Sequence, residues 1–96
     1  MPAIRAGPNE EATMPLFMDV HHDVPEGTDA QAVADAHMAD VRTQDAYGAK
    51  YINYWFDADA RKIFCLVEAP DAEAANAVHR EAHGLVAQEI HPVVQG

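Results

Sequence analysis

The chain has 96 residues, the size of one small domain, and it carries a formal net charge of −10. This charge argues against a nucleic-acid-binding surface, because contacts to phosphates need clustered lysine and arginine side chains. The single cysteine, Cys65, excludes an internal disulfide and an iron–sulfur cluster held within one chain. The sequence has neither an apolar stretch long enough to span a membrane nor the apolar core of a secretory signal, so we expect a cytoplasmic protein that does not bind membranes.

Residues 1–13 are rich in proline, glycine and acidic side chains and poor in groups that pack, which predicts a flexible N-terminal arm. Residues 14–96 are expected to form a single domain. Its first strand is predicted over residues 16–22, where apolar and β-prone side chains predominate. Alternation along this strand would direct His22 toward a layer of helices and His21 toward the opposite face of the sheet.

The first helix follows a turn. Thr28 or Asp29 can cap its start, and it is predicted to run to about Tyr47, with Gly48 as its C-terminal stop. Its apolar stripe includes His37.

Three further strands and a second helix are predicted from the pattern of apolar residues. Residues 50–56 are aromatic and β-prone, and residues 63–67 form a continuous apolar run that is typical of a central strand. The second helix is predicted over residues 72–83, with Pro70 and Asp71 ending the strand before it and capping its start. The last strand lies within residues 86–94, where Pro92 confines it to an edge of the sheet.

The order strand–helix–strand–strand–helix–strand predicts a ferredoxin-like βαββαβ sandwich, an α+β fold with two helices on one face of a four-stranded antiparallel sheet. The second and third strands are apolar or aromatic at nearly every position, so the other sheet face must also carry apolar side chains. Phe17, Tyr51 and Trp55 or their neighbours are expected there. We therefore expect a second copy of the chain to cover this face, sheet against sheet, in a homodimer.

The six histidines are the main indication of function in so short a chain. His79 and His83 lie four residues apart in the second predicted helix, so their side chains share one helix face. Because the first strand and the second helix finish at the same end of the sheet, His22 can converge with them on one metal ion. His37, about two turns into the first helix, can reach this region from the side.

Other positions leave alternatives open. His21 shares its predicted sheet face with Asp19, and this pair with its copy in a second subunit could build a site at a dimer interface. His91 belongs near the opposite end of the molecule. His37 can equally be a half-buried core histidine, and Cys65 is expected to be an inert buried thiol.

Imidazole and carboxylate donors together suit nickel, zinc, copper or iron(II), whereas magnesium and calcium prefer sites made of oxygen alone. The candidate carboxylates near the histidines are Asp23, Asp57 and Glu81. Glu81 does not directly follow His79, as the glutamate of the metalloprotease helix motif would, so the spacing does not indicate that class of enzyme.

Five blocks of the sequence carry a family resemblance: Met14–Phe17, Ala36–His37, Tyr54–Asp57, Phe64–Pro70 and Val78–Gly84. Together they resemble a bacterial family of small ferredoxin-like proteins, long catalogued as a domain of unknown function, that includes an actinobacterial nickel-binding protein. The resemblance extends from residue 14 to about residue 94. It implies a dimer that binds nickel, and it implies His37, His79 and His83 as motif positions of the site.

The sequence thus favours a non-catalytic, dimeric nickel-binding protein that serves in metal storage, sequestration or delivery. Its predicted ligands are His21, His22, His37, His79 and His83, together with carboxylates. The alternative is a small-molecule binder or an enzyme, in which a histidine acts as general base in a pocket between two sheets.

Overall fold

A computed structural model describes residues 14–96, so the predicted arm over residues 1–13 lies outside the described residues. The elements in chain order are β1 (Leu16–His21), α1 (Ala30–Thr43), a short 3-10 helix (Gln44–Tyr47), β2 (Lys50–Asp57), β3 (Lys62–Glu68), α2 (Ala72–Ala82) and β4 (Glu89–Val93). The strands form one antiparallel sheet in the order β2-β3-β1-β4, and the two helices complete a ferredoxin-like sandwich. The predicted fold is therefore confirmed. No helix within residues 14–96 combines the length and apolarity needed to cross a membrane.

Side-chain caps fix where the helices begin. The Asp29 carboxylate accepts a hydrogen bond from the backbone N–H of Ala32 at 2.9 Å, and Asp71 does the same for Ala74 at 2.8 Å. These bonds satisfy backbone donors that have no partner within the first turn of a helix. Both caps agree with the sequence-based prediction.

The helix ends differ slightly from the prediction. α1 tightens into the 3-10 helix for its last turn before Gly48, whose φ of 66° lies in the left-handed region. α2 ends at Ala82, and the N–H groups of His83 and Gly84 both bond to the carbonyl of His79. This turn sets the direction in which the chain leaves α2 toward β4.

The strand register shows which side chains face the helices. Phe17 pairs with Val67, Asp19 with Cys65, and His21 with Ile63, and all six positions point toward the helical layer. The predicted orientation of His21 is therefore wrong. Apolar residues occupy both faces of β1, so alternation defined two faces but could not say which one meets the helices.

The same register shows that the prediction of an open sheet face position is wrong for two of the three aromatic residues. Phe17 and Tyr51 pack with the core under the helices, together with Val67 and Val78. Trp55 lies on the open face opposite Phe64 and is 49% exposed. Apolar side chains do continue across this face at alternate positions of the central strands: Met18, Val20, Phe64 and Leu66.

Candidate metal centre

His79 lies at the centre of a buried polar cluster between the helices and the sheet. Its side chain is 1% exposed, and each ring nitrogen faces a carboxylate. Nδ1 lies 2.9 Å from Oδ1 of Asp40 on α1, and Nε2 lies 2.9 Å from Oδ2 of Asp19 on β1. Asp19 is fully buried and Asp40 nearly so, which is rare for carboxylates unless they are paired. A single imidazole thus links α2 to both α1 and the sheet.

Tyr51 extends this network from β2. Its hydroxyl donates a hydrogen bond to Oδ2 of Asp19 at 2.9 Å and lies 2.8 Å from Nε2 of His79. The same hydroxyl lies 3.1 Å from the carbonyl oxygen of Ala75. Tyr51 therefore holds Asp19 and His79 in position from a third element.

His21 brings a second imidazole to the sheet side of His79. The two Nε2 atoms are 3.2 Å apart, and the rings meet edge to face with centroids separated by 4.6 Å. Nε2 of His21 also lies 3.5 Å from Oδ1 of Asp19. The expectation that the end of β1 and the end of α2 share one end of the sheet is confirmed for this residue. Because Asp19 and His21 face the helices, they do not build the predicted site on the open face.

His83 approaches the cluster from the other side of His79. Its Nε2 lies 3.0 Å from Oδ1 of Asp40, and its ring centroid lies 5.1 Å from that of His79. The four-residue spacing therefore places both imidazoles beside one carboxylate, as one helix face requires.

His37 borders the same region without joining the hydrogen-bond network. Its ring packs on Tyr54 with centroids 4.7 Å apart, and its Nδ1 is buried without a hydrogen-bond partner among residues 14–96. It lines a cavity of about 30 Å³, which we call the inner cavity, together with His21, Asp40, Cys65, His79 and His83.

His22 lies apart from these residues. Its ring contacts one carboxylate oxygen of Glu89 on β4, and Nε2 of His91 lies 2.8 Å from the other oxygen. The backbone N–H of His22 donates to Oε1 of Gln88 at 2.6 Å. The structure therefore brings His21, His79 and His83 together, with His37 beside them, and places His22 with His91 at the β4 edge.

The residues that we call the His79 cluster are Asp19, His21, Asp40, Tyr51, Cys65, His79 and His83. The sequence pattern did not assign Asp40, Tyr51 or Cys65 to a metal site. Asp40 carried a signal, since it lies seven residues after Val33 and three after His37, on the apolar stripe of α1. Tyr51 and Cys65 carried none, because tyrosine and cysteine in an apolar strand are usually packing residues.

The carboxylates proposed from sequence lie elsewhere. Oε1 of Glu81 accepts a hydrogen bond from the Tyr47 hydroxyl at 2.5 Å, and Asp57 caps the turn at Ala60. Asp23 lies in the loop after β1, with a φ of 56°.

The carboxylates make His79 a cation in the absence of metal. Burial opposes the charged imidazole and is the largest single effect on it, but the hydrogen bonds to Asp19 and Asp40 outweigh burial and raise the pKa of His79 to about 9. For Asp19, burial again opposes the charged form, and the proximity of the His21 and His79 imidazoles lowers the pKa below its ordinary value. The pKa of Asp40 is lowered in the same way, against burial, by His79 and His83.

The cluster contains two sets of residues with the chemistry of a metal site. Asp19, His21, Cys65 and His79 offer one ligand atom each within 4.8 Å of one another, and Asp40, His79 and His83 form a second such set. Imidazole, carboxylate and thiolate donors together suit divalent transition metals. Oδ1 of Asp19 is buried and has no hydrogen-bond partner among residues 14–96, so an acceptor is free at the first set.

Burial raises the pKa of the Cys65 thiol, with the nearby Asp19 charge as a further cause, so this side chain is protonated in the metal-free protein. It is the free cysteine of the chain, buried in the middle of β3. A thiolate ligand at this position would require the loss of that proton on metal binding.

Comparison with known proteins agrees with this chemistry. The family model described as "Nickel responsive protein SCO4226-like" matches residues 17–93. The crystal structure of SCO4226 from Streptomyces coelicolor A3(2) is similar with a TM-score of 0.78 and 36% sequence identity, over 84% of this chain and 98% of that chain. No curated protein gives a significant match. The extent of the family match shows that the chain belongs to the SCO4226-like family of nickel-responsive proteins.

Proposed function

We propose that this protein binds a nickel ion at the His79 cluster. The observation that carries the proposal is the first set of ligand atoms, in which Asp19, His21, Cys65 and His79 lie within 4.8 Å of one another in a buried position. The inner cavity lies beside them. Membership of a nickel-responsive family favours nickel over zinc, copper or iron, all of which accept the same donors.

The hydrogen bonds favour the first set over the second as the place of the ion. Oδ1 of Asp19 has no partner among the described residues, whereas Oδ1 of Asp40 already contacts both His79 and His83. A histidine that ligates a metal through one nitrogen commonly donates its other N–H to a carboxylate, which fixes the tautomer. Asp40 is placed to accept that proton from Nδ1 of His79, leaving Nε2 for the ion.

Asp19, His21 and His79 are therefore the proposed ligands, with Cys65 as a fourth donor. Asp40 and His83 would hold His79 in its ligating orientation, and His37 would line the cavity wall. His22 is not part of this proposal, because its ring pairs with Glu89 outside the cluster. This assignment differs from the ligands proposed from sequence, because the fold turns Asp19 and His21 toward the helices and leaves His22 outside the cluster.

The proposed working form is a homodimer that covers the open sheet face. The support is the apolar band across that face, in which Trp55 remains 49% exposed in one chain. We propose storage, sequestration or delivery of nickel in the cytoplasm as its role, since a single free thiol suits a reducing compartment. Binding of this kind needs no catalytic group.

Nickel titration by calorimetry, with elemental analysis of the purified complex, tests the site. We expect saturable binding by the wild type and loss of at least about 100-fold in affinity in a His21→Gln/His79→Gln pair, since loss of ligands is costly in a buried site. A His22→Gln/His91→Gln pair is the matched control, because it removes two imidazoles from the β4 edge.

Circular dichroism of both pairs would establish that they remain folded. Wild-type affinity in the first pair, or loss of binding in the control pair, would contradict the proposed location. Absence of any nickel binding by the wild type would contradict the function itself.

A further inference from the structure

A second cavity, which we call the outer cavity, opens at the end of the sheet where β1 finishes. Its volume is about 330 Å³, within the range of small-molecule sites. The first half of α1, the loop that leads into it and the loop after α2 form its walls. Most of the lining is apolar, from Val24, Pro25, Ala32, Val33, Ile63, Leu85 and Val86.

His21 joins the outer cavity to the His79 cluster, because it lines both the outer and the inner cavity. Its Nε2 faces Nε2 of His79 at 3.2 Å. Nε2 of His21 also lies 3.5 Å from Oδ1 of Asp19, so this nitrogen is engaged within the cluster and Nδ1 is the ring nitrogen that remains for a ligand. The buried network around Nε2 fixes the orientation of the ring.

The charges around the outer cavity select against ionised ligands. The lining contains no lysine or arginine among residues 14–96, so an anion finds no formal positive charge beyond the histidines. The lining carboxylate, Asp23, is exposed and lies in a loop, so it does not provide a buried counter-ion for a cation. His22 is engaged with Glu89.

We propose that the outer cavity binds a small uncharged organic molecule with an apolar ring or branched body and one uncharged polar group directed at Nδ1 of His21. At about 30 Å³ for each water-sized group, a volume of about 330 Å³ accommodates about ten non-hydrogen atoms. This binding function goes beyond nickel binding and does not depend on it, since the ligand contacts apolar walls and the accessible edge of His21.

Three probes of one shape and different charge test the proposal in the metal-free protein with a chelator present: acetophenone, benzoate and benzamidinium. We expect acetophenone to bind saturably, with a dissociation constant of about 1 mM or lower, and both ions to bind at least about tenfold more weakly. Two-dimensional amide NMR should show the largest shift changes at His21, Val33 and Leu85.

Two phenylalanine substitutions on the same helix locate the probe. Ala32→Phe fills the outer cavity, whereas Ala30→Phe places the same ring on an exposed position that does not line it. We expect Ala32→Phe to weaken acetophenone binding at least about tenfold and Ala30→Phe to leave it unchanged. Both positions are exposed, and the amide spectrum of each variant reports directly on its fold.

The proposal is overturned if acetophenone produces no saturable shifts, if the three probes bind equally, or if Ala32→Phe binds acetophenone as the wild type does. If Ala32→Phe is unfolded, the residues whose amides shift in the wild type decide the location. The chelator separates this result from nickel binding, which can succeed or fail independently.

Discussion

The affinity for nickel should depend on pH through His79 rather than through surface histidines. An ion at Nε2 of His79 must displace a proton from a group whose pKa is about 9. At pH 7 only about one His79 side chain in 100 is neutral, so the apparent affinity is about 100-fold below that of the deprotonated site. The affinity should therefore rise about tenfold for each pH unit between about 6.5 and 8.5.

The proton that nickel displaces from His79 can also be counted directly. Calorimetric titrations in buffers of different ionisation enthalpy give the number of protons released for each ion bound. We expect about one proton for each nickel ion bound at pH 7 if Cys65 remains a thiol, and about two if it coordinates as a thiolate. The second outcome should also bring a sulfur-to-metal charge-transfer absorption that a Cys65→Ser variant lacks.

A different pH profile would refute this reasoning. Imidazoles at the β4 edge, such as His22 and His91, lack the pair of buried carboxylates that flanks His79. An ion bound there would not have to displace the proton that Asp19 and Asp40 hold on His79. An affinity that is constant from pH 7 to 8.5 would thus place the ion outside the His79 cluster.

Three further outcomes are expected. The pKa of His79 rises from 6.5 in the unfolded chain to about 9 in the folded protein, so its contribution to stability is complete below pH 6.5 and is lost as pH rises through 9. Urea unfolding of the metal-free protein should therefore show that the free energy of unfolding falls by about 3 kcal/mol over that interval. The His79→Gln variant should not show this fall. Tyr51→Phe should lower the free energy of unfolding by about 1–3 kcal/mol, because Asp19 loses a buried donor, and a loss below about 0.5 kcal/mol would contradict this. Trp55→Lys should yield a monomer in sedimentation velocity experiments, because it places a charge on the proposed dimer face. Met38→Lys changes an equally exposed position on α1 and should leave the dimer intact. Unchanged sedimentation of both variants would contradict the proposed dimer face.

The order and type of the elements followed directly from the sequence. Apolar runs, the caps at Asp29 and Asp71, and the stop at Gly48 are local features whose meaning does not depend on distant residues. The ferredoxin-like topology then followed from the order of the elements, and it placed the ends of β1 and α2 together. The sequence also indicated the pair His79 and His83.

The tertiary structure decided which groups meet. Neighbouring residues of a strand face opposite sides of the sheet, so His21 lies in the cluster whereas His22 lies at the β4 edge. Because both faces of β1 carry apolar residues, the sequence pattern could not show which of the two histidines faces the helices. Asp19 and Asp40 lie 60 and 39 residues from His79 in the chain.

No local pattern marks two aspartates as partners of one imidazole. A buried carboxylate is stable only when a specific donor reaches it, and that donor is supplied by packing of helices on the sheet. The number of histidines therefore suggested metal binding from the sequence alone. The fold determined that His79, held between two carboxylates, is the residue around which the candidate site is built.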